Sequence, residues 1–582
     1  MSKDRFYKVR HIESLRDMVD QSNKLFGNKA AFTLKNKEGK LYDVLYSEYY
    51  SDINALGTAF INLGLKDKRI AVISENRYDW CVTYMATVNG TGIIVPLDKE
   101  LHEDEILNLL LRSEASAVVF SQKLSKKIEA TFGKLPNIKY YISMDSDADS
   151  EEELSLNKLL DTGRNLVISG DRCFIDAEVD SNAMNMMIFT SGTTDLAKAV
   201  MLSHRNICSD IMAVMETVNV TRLDTCLSIL PLHHTYECSL GFLAMIYVGG
   251  TISYIDGLKH ISKNFKEYKP SVLFTVPLLL ENIHKKIWDQ ASKTEKGRKK
   301  LNSVIKLSDF LYHCLHIDAR RMIFRPIHES LGGNMRLVLT GAAAIDPEVS
   351  KNFENFGISV LQGYGLTECS PLVIGNRDKK FKHESIGLPL PGVEIKIVNA
   401  DENGIGEIAV KGPNLMLGYY ENEDATSRTL RDGWLFTGDL GYKDSEGFYY
   451  ITGRSKNVIV TKNGKNIFPE EVESYLNKSP YVFESLVCGK IDESTGETYV
   501  SAQIVPNFEA IKEKLKVSIP SHEDIMNFIE DAVKLANKSM PLYKRISNFT
   551  IRDNEFVKTT TNKIKRYIET NKTDKFVSDK LN

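Results

Sequence analysis

Short aliphatic and β-branched runs recur through the first ~450 positions, each followed by polar or helical sequence, and this alternation restricts the chain to parallel sheets wrapped by helices. The runs RIAVIS at 69–74, GIIVPL at 92–97, AVVFS at 117–121, SVLFTV at 271–276 and RLVLTG at 336–341 carry the pattern. Residues 281–331 break it. They are rich in Lys and Arg, with Ile283, Ile287, Ile305, Leu311 and Leu315 at loosely helical spacing, and read as a helical excursion with a solvated basic face.

A second shift follows Gly453. A short hairpin-like stretch, a strand pair (SLVCGKID and YVSAQIVP) and a helix entered through a capping box at Ser521 and Asp524 predict a separate α+β unit of ~130 residues. The expected division is 1–453 and 454–582. At 582 residues the chain has room for about four average domains, or fewer if one is a large α/β body.

Composition narrows the class of function. With 42% hydrophobic and 26% charged residues, a disordered or fibrous chain is excluded. The balance of 74 Lys+Arg against 77 Asp+Glu leaves no overall basic field, so nucleic acid is not the expected partner. Eight scattered cysteines without a CxxC predict buried free thiols in a reducing compartment. The first fifteen residues carry charges where a signal peptide needs an apolar stretch, and a cytoplasmic location is the expectation. The uncharged segment 238–255 approaches membrane-span length, but Gly249-Gly250 and the TISYI run after it fit a buried helix, a turn and a core strand.

The chemistry concentrates in a few segments. Residues 186–206, MMIFTSGTTDLAKAVMLSHRN, run a buried strand into Thr190-Ser191-Gly192-Thr193-Thr194, followed by Lys198. Hydroxyl and backbone N–H donors with a nearby ammonium suit a polyphosphate, although the spacing is not that of a Walker loop. Further on come QGYGLTE at 362–368, GEIAVKGPNLMLGYY at 406–420, GWLFTGDL at 433–440 and GRSKNVIVTKNGKNIFPEEVE at 453–473.

In order and spacing these motifs closely resemble the adenylate-forming superfamily of acyl-CoA synthetases, firefly luciferases and peptide-synthetase adenylation domains, over nearly the whole chain. LPLHHTYE at 230–237, KPSVLFTVP at 269–277 and LGGNMRLVLTGAAAIDPEV at 331–349 resemble the long-chain fatty acid–CoA ligase branch. The resemblance implies an α/β fold: a large N-terminal domain of wrapped sheets with a distorted β-barrel subdomain, and a small mobile α+β C-terminal domain. It also implies a reaction in two halves. A fatty acid carboxylate displaces pyrophosphate from ATP, and the acyl group then passes to coenzyme A.

The same resemblance assigns roles. Thr190–Thr194 and Lys198 would hold the ATP phosphates, Thr367 would bond a phosphate, and Glu368 would bind Mg²⁺. Tyr364 and Gly365 would face adenine beside the Gly341-Ala342 turn, with Asp439 and Arg454 on the ribose. His234 would line the carboxylate end of an acyl tunnel, while His233 and His204 are expected to be structural. Lys456 would be the hinge, Lys563 the lysine that leaves after adenylation, and the loop at Gly464 its replacement along the pantetheine channel.

Two departures stand out. Asp195 occupies a loop position where a small residue is usual, and a carboxylate there opposes a triphosphate. Asn562 replaces a glycine before Lys563, a mild change for a left-handed backbone. An acyl carrier protein in place of coenzyme A, a weakened nucleotide- and acyl-binding homologue, and peripheral contact with the inner face of a membrane are the alternatives left open.

Overall fold

In a computed structural model the described residues are 6–190, 197–292, 294–460, 466–491, 498–558 and 564–569. All five apolar runs named above form strands, and each pairs in parallel with its neighbours in one of two large mixed sheets. Lys68–Ile73, Gly92–Pro96 and Ala117–Phe120 sit at the centre of an eight-stranded sheet, each parallel to its neighbour. One side of that sheet continues through Met184–Thr190 to Lys198–Ser203 and then Gly418–Tyr419, the last two joining antiparallel. Val272–Thr275 and Leu337–Thr340 are central in a nine-stranded sheet, with Thr225–Ser228 on one side and Ser359–Gly365 on the other.

Glu394–Val398, Gly406–Lys411, Trp434–Lys443, Leu430–Arg431 and Tyr449–Arg454 form an open antiparallel sheet, the form taken by the expected barrel-like subdomain. One apolar cluster runs from Ile12 to Tyr449 and binds the two large sheets to this third one. A separate cluster begins at Ile459 and runs to Ile551, under the Val482–Ile491, Thr498–Pro506 and Ile546–Ile551 sheet and the helix His522–Lys538. The Ser521 hydroxyl accepts from the Asp524 N–H and the Asp524 carboxylate accepts from the Ser521 N–H, the capping box read from the sequence. Lys456 is exposed, in a single turn at Ser455–Asn457 between the last strand of the third sheet and the first strand of the second cluster.

The excursion is helical as expected, built from Pro277–Ser292, Glu295–Leu315, Arg320–Ile323 and Arg325–Ser330. Ile283, Ile287, Leu301, Val304 and Ile305 pack against the nine-stranded sheet, whereas Leu307, Phe310, Leu315, Ile317 and Met322 are exposed. Among the described residues no helix is long and apolar enough to cross a membrane. The eight cysteines are unpaired. Cys173 and Cys314 are exposed and Cys488 half-buried, so the expectation of uniformly buried thiols holds only for the other five.

The uncharged segment is buried except at Val248, Tyr254 and Ile255, which are half-buried. It opens as a wide helical turn, Glu237–Leu243, continues as Ala244–Val248, and turns at Gly249 (φ +78°) into the strand Thr251–Tyr254. Glu237 is fully buried; among the described residues only the Ser228 hydroxyl donates to it, at 2.5 Å, and a Cβ on Gly241 would lie 2.5 Å from its carboxylate. Burial pushes its pKa up to about 8 against the smaller opposing effect of Ser228. The folded chain therefore keeps a proton that the unfolded chain releases, and stability falls as pH rises from the ordinary carboxylate range toward 8.

Glu237→Gln keeps the shape and the neutral state, so it is expected to raise the urea midpoint at pH 7 by the equivalent of about 3 kcal/mol. The advantage should close as pH approaches 4.5, where wild-type Glu237 is protonated in both states. A gain that does not change with pH would mean that Glu237 is not the titrating group.

Candidate functional site

The three sheets of the large body and part of the second unit wall one cleft of about 3320 Å³. A pocket for a single small ligand measures roughly 300–1,000 Å³, so this volume accommodates more than one substrate. Thr190, Lys198, His234, Gly341, Ala342, Tyr364, Gly365, Thr367, Glu368, Asp439, Arg454 and Lys456 all line it. Ser191, Gly192, Thr193, Thr194, Gly464 and Lys563, together with Asp195 and Asn562, lie outside the described residues.

One wall is organised around a carboxylate. Asp439 sits in the Trp434–Lys443 strand directly across from Arg454, and the Arg454 Nε is 2.9 Å from Asp439 Oδ1. The other oxygen, Oδ2, accepts from the Tyr364 hydroxyl at 2.6 Å. Asp439 is only 5% exposed, so both contacts are charge-assisted in a poorly solvated setting. Burial, reinforced by the Asp439 charge, holds the Tyr364 phenol far above its ordinary pKa, so it remains a donor. The geometry refines the adenine-stacking expectation: the Tyr364 ring lines the cleft while its hydroxyl is anchored to the proposed ribose carboxylate.

Backbone shape at this wall is tightly prescribed. A Cβ on Gly365 would stand 1.8 Å from the Pro371 carbonyl oxygen, so only glycine lets the strand Ser359–Gly365 end here. Ala342 adopts φ +68°, a left-handed conformation that an L-residue holds at a cost of about 1–2 kcal/mol. Strain of this kind is retained where a turn must present backbone to a ligand.

The opposite wall joins three motifs. The Gly418–Tyr419 strand pairs with Lys198–Ser203, placing the Tyr419 ring 4.7 Å from the Lys198 ammonium. The Tyr419 hydroxyl donates to Glu368 Oε1 at 2.8 Å, and its pKa is raised by burial and by that carboxylate. Thr190 and Lys198 are register partners at the two ends of the hairpin that carries the hydroxyl-rich loop. Thr367 sits beside Thr235, with 3.5 Å between the two hydroxyl oxygens. Tyr419 was not picked out from the sequence, although it lies in the GPNLMLGYY motif.

The histidines divide. His204 is buried, its Nδ1 accepting from the Leu15 N–H at 3.1 Å and its Nε2 donating to the Val88 carbonyl at 3.0 Å. Burial lowers its pKa to about 4, as expected of a structural, neutral imidazole. His233 differs from expectation: its ring is 4.1 Å from that of His234, and its Nε2 is 3.4 Å from Asp98 Oδ2. Asp98 follows the strand Gly92–Pro96, a neighbour that sequence spacing could not reveal.

Two α/β sheets, an antiparallel sheet and a smaller α+β unit around one cleft give the architecture that the sequence motifs led us to expect. Family models agree: residues 19–420 match the AMP-binding enzyme family and residues 456–575 match the AMP-binding enzyme C-terminal domain. The chain belongs to the AMP-binding enzyme family of adenylate-forming ligases.

Among its relatives is the Long-chain-fatty-acid–CoA ligase FadD15 of Mycobacterium bovis, 26% identical over 573 residues, covering 93% of this chain and 92% of the relative. The human Long-chain-fatty-acid–CoA ligase 1 is 29% identical over 503 residues, covering 78% and 68% respectively. The chloroplastic Long-chain-fatty-acid–[acyl-carrier-protein] ligase AEE15 of Arabidopsis thaliana is 26% identical, covering 85% and 77%. In fold the chain is similar to the anthranilate CoA ligase AuaEII solved with anthranoyl-AMP, at TM-score 0.73, 21% identity and coverage of 97% and 96%.

Tyr364→Phe removes the hydroxyl that anchors Asp439 and leaves the ring. A hydrogen bond to a charged group is worth about 1.5–3 kcal/mol, so AMP affinity measured by calorimetry should fall about 10-fold or more. An unchanged affinity would show that Asp439 is held for the nucleotide by Arg454 alone.

Proposed function

We propose that this protein activates a long-chain fatty acid with ATP and transfers the acyl group to coenzyme A, releasing pyrophosphate and AMP. The observation that carries the reading is the convergence on one cleft of the Lys198–Tyr419–Glu368 wall, the Tyr364–Asp439–Arg454 wall and His234. In the first step a carboxylate oxygen of the acid bonds to the α-phosphorus and the bond to pyrophosphate breaks. In the second the thiolate sulfur bonds to the acyl carbon and AMP leaves.

Both steps depend on positioning and charge neutralisation more than on covalent work by the protein. Asp439 would accept from the ribose hydroxyls, Arg454 fixing its orientation, while Tyr364 and the Gly341-Ala342 turn enclose the base. Lys198 and the hydroxyl loop would neutralise the phosphates. Glu368 suits Mg²⁺: one oxygen is occupied by Tyr419, and a single further carboxylate oxygen is what such an ion takes when phosphates and water supply the rest. When bound, that ion would neutralise phosphate charge.

Lys456, between the two apolar clusters, is the proposed hinge for exchanging Lys563 and the Gly464 loop between half-reactions, with the boundary at 453/454. The chloroplastic relative named for acyl carrier protein keeps that acceptor as the second reading. Exposed Leu307, Phe310, Leu315, Ile317 and Met322 lie in a stretch that also carries Lys299, Lys300, Lys306 and Arg321, and support collection of substrate at an anionic membrane face from the cytoplasmic side. Greater co-sedimentation with anionic than with zwitterionic vesicles is the expected result.

Leu240, in the apolar helical segment that follows His234, lines the cleft and is proposed to contribute to a gauge of chain length, whereas Met245 is wholly buried in the core. Each methylene buried adds about 0.8 kcal/mol, so kcat/KM measured from acetate to oleate should peak at about twelve carbons or more. Coenzyme A and acyl carrier protein are compared as acceptors in the same assay. An optimum at acetate or benzoate would contradict the long-chain assignment. Lys563→Ala should lower adenylate formation by about 10²-fold or more and spare thioester formation from supplied acyl-adenylate. Equal loss of both steps would remove Lys563 from this role.

A further inference from the structure

We propose that Asp98, His233 and His234 form a binding site for a transition-metal cation of the zinc class, and that its occupation blocks the acyl end of the cleft. The three side chains offer one carboxylate oxygen and two imidazole nitrogens, all within 4.8 Å of one another. Asp98 and His233 are each 8% exposed, and all three residues line the cleft. Asp98 Oδ1 accepts from the Glu100 N–H at 2.9 Å, which fixes the carboxylate so that Oδ2 faces His233.

His233 Nε2 is buried without a hydrogen-bond partner, although it lies 3.4 Å from Asp98 Oδ2. Leaving a buried imidazole nitrogen unbonded is costly, and a ligand there would recover the loss. The spacing fits a metal: four ligands at about 2.0–2.1 Å in a tetrahedron stand roughly 3.3–3.4 Å apart along each edge. The Asp98–His233 separation already has that value, and a ring nitrogen of His234 lies within 4.8 Å of both.

The donor set selects the ion. Two imidazoles with one carboxylate favour zinc, cobalt, nickel or copper over Mg²⁺ or Ca²⁺, which prefer oxygen ligands. Three protein ligands also leave the fourth position of a tetrahedral ion open, here toward the cleft. The site is separate from the carboxylate proposed for Mg²⁺, Glu368, whose partner is Tyr419. An ion bound here would engage His234, the residue proposed for the fatty acid carboxylate. Zinc and fatty acid would then compete. The metal site stands on geometry alone; only its effect on turnover rests on the acyl-activating reading.

The test is a Co²⁺ titration of the whole chain without nucleotide, read by visible absorption, with Zn²⁺ displacement. The expected result is one ion per chain with the intense bands of tetrahedral cobalt, lost in His233→Gln and in Asp98→Asn. In turnover assays Zn²⁺ should raise the apparent KM for fatty acid at least 10-fold while leaving the KM for ATP unchanged. Either variant should keep its zinc-free activity and lose at least 10-fold in zinc sensitivity. Absence of the bands in the wild type, or their persistence in both variants, overturns the site. Zinc inhibition that is not competitive with fatty acid, or is unchanged in both variants, overturns the blocking role. Bands that depend on His233 in a protein that activates no fatty acid would support the site and refute the catalytic reading.

Discussion

A nearly buried carboxylate, Asp439, ties the antiparallel sheet to the end of the nine-stranded sheet. Its two oxygens are held by Arg454 within the antiparallel sheet and by Tyr364 from the end of the nine-stranded sheet. A hydrogen bond to a charged group is worth about 1.5–3 kcal/mol, and the Tyr364 contact is the more buried of the two, since Arg454 is partly exposed. The cleft wall therefore depends on a contact that is structural and that, in the proposed reaction, also faces the nucleotide.

The rest of the site follows from sheet topology. In open parallel sheets ligands gather beyond the carboxyl ends of the strands. Asp98 follows Gly92–Pro96, Thr190 ends Met184–Thr190, Gly341 and Ala342 follow Leu337–Thr340, and Gly365 ends Ser359–Gly365. Residues separated by hundreds of positions thus reach one cleft because each sits at the same end of its strand. The smaller unit contributes Lys544, Lys558 and Arg566 to that cleft.

Much of this was legible in the sequence because the signals are local. An apolar run of five or six residues specifies a doubly covered strand, and Ser521 with Asp524 specifies a helix start whatever surrounds them. The motifs named the residues of both walls, Tyr419 excepted, for the same reason. What could not be read was lateral. That Tyr419 would bridge Lys198 and Glu368 depends on Gly418–Tyr419 pairing with Lys198–Ser203, more than two hundred residues away. That Asp98 would meet His233 depends on the approach of two separate sheets, and the raised pKa of Glu237 depends on burial that a wide helical turn creates. The exposed apolar side chains of the helical excursion were equally hidden, since spacing marks a face without saying whether anything covers it.

The central claim is that this cleft joins a fatty acid to AMP before any thiol takes part. Exchange of labelled pyrophosphate into ATP, measured with fatty acid present and every thiol acceptor omitted, isolates that step. The account predicts exchange that requires both the acid and Mg²⁺ and proceeds without coenzyme A or carrier protein. Exchange that is absent under these conditions, or that runs equally well without the acid, would contradict it.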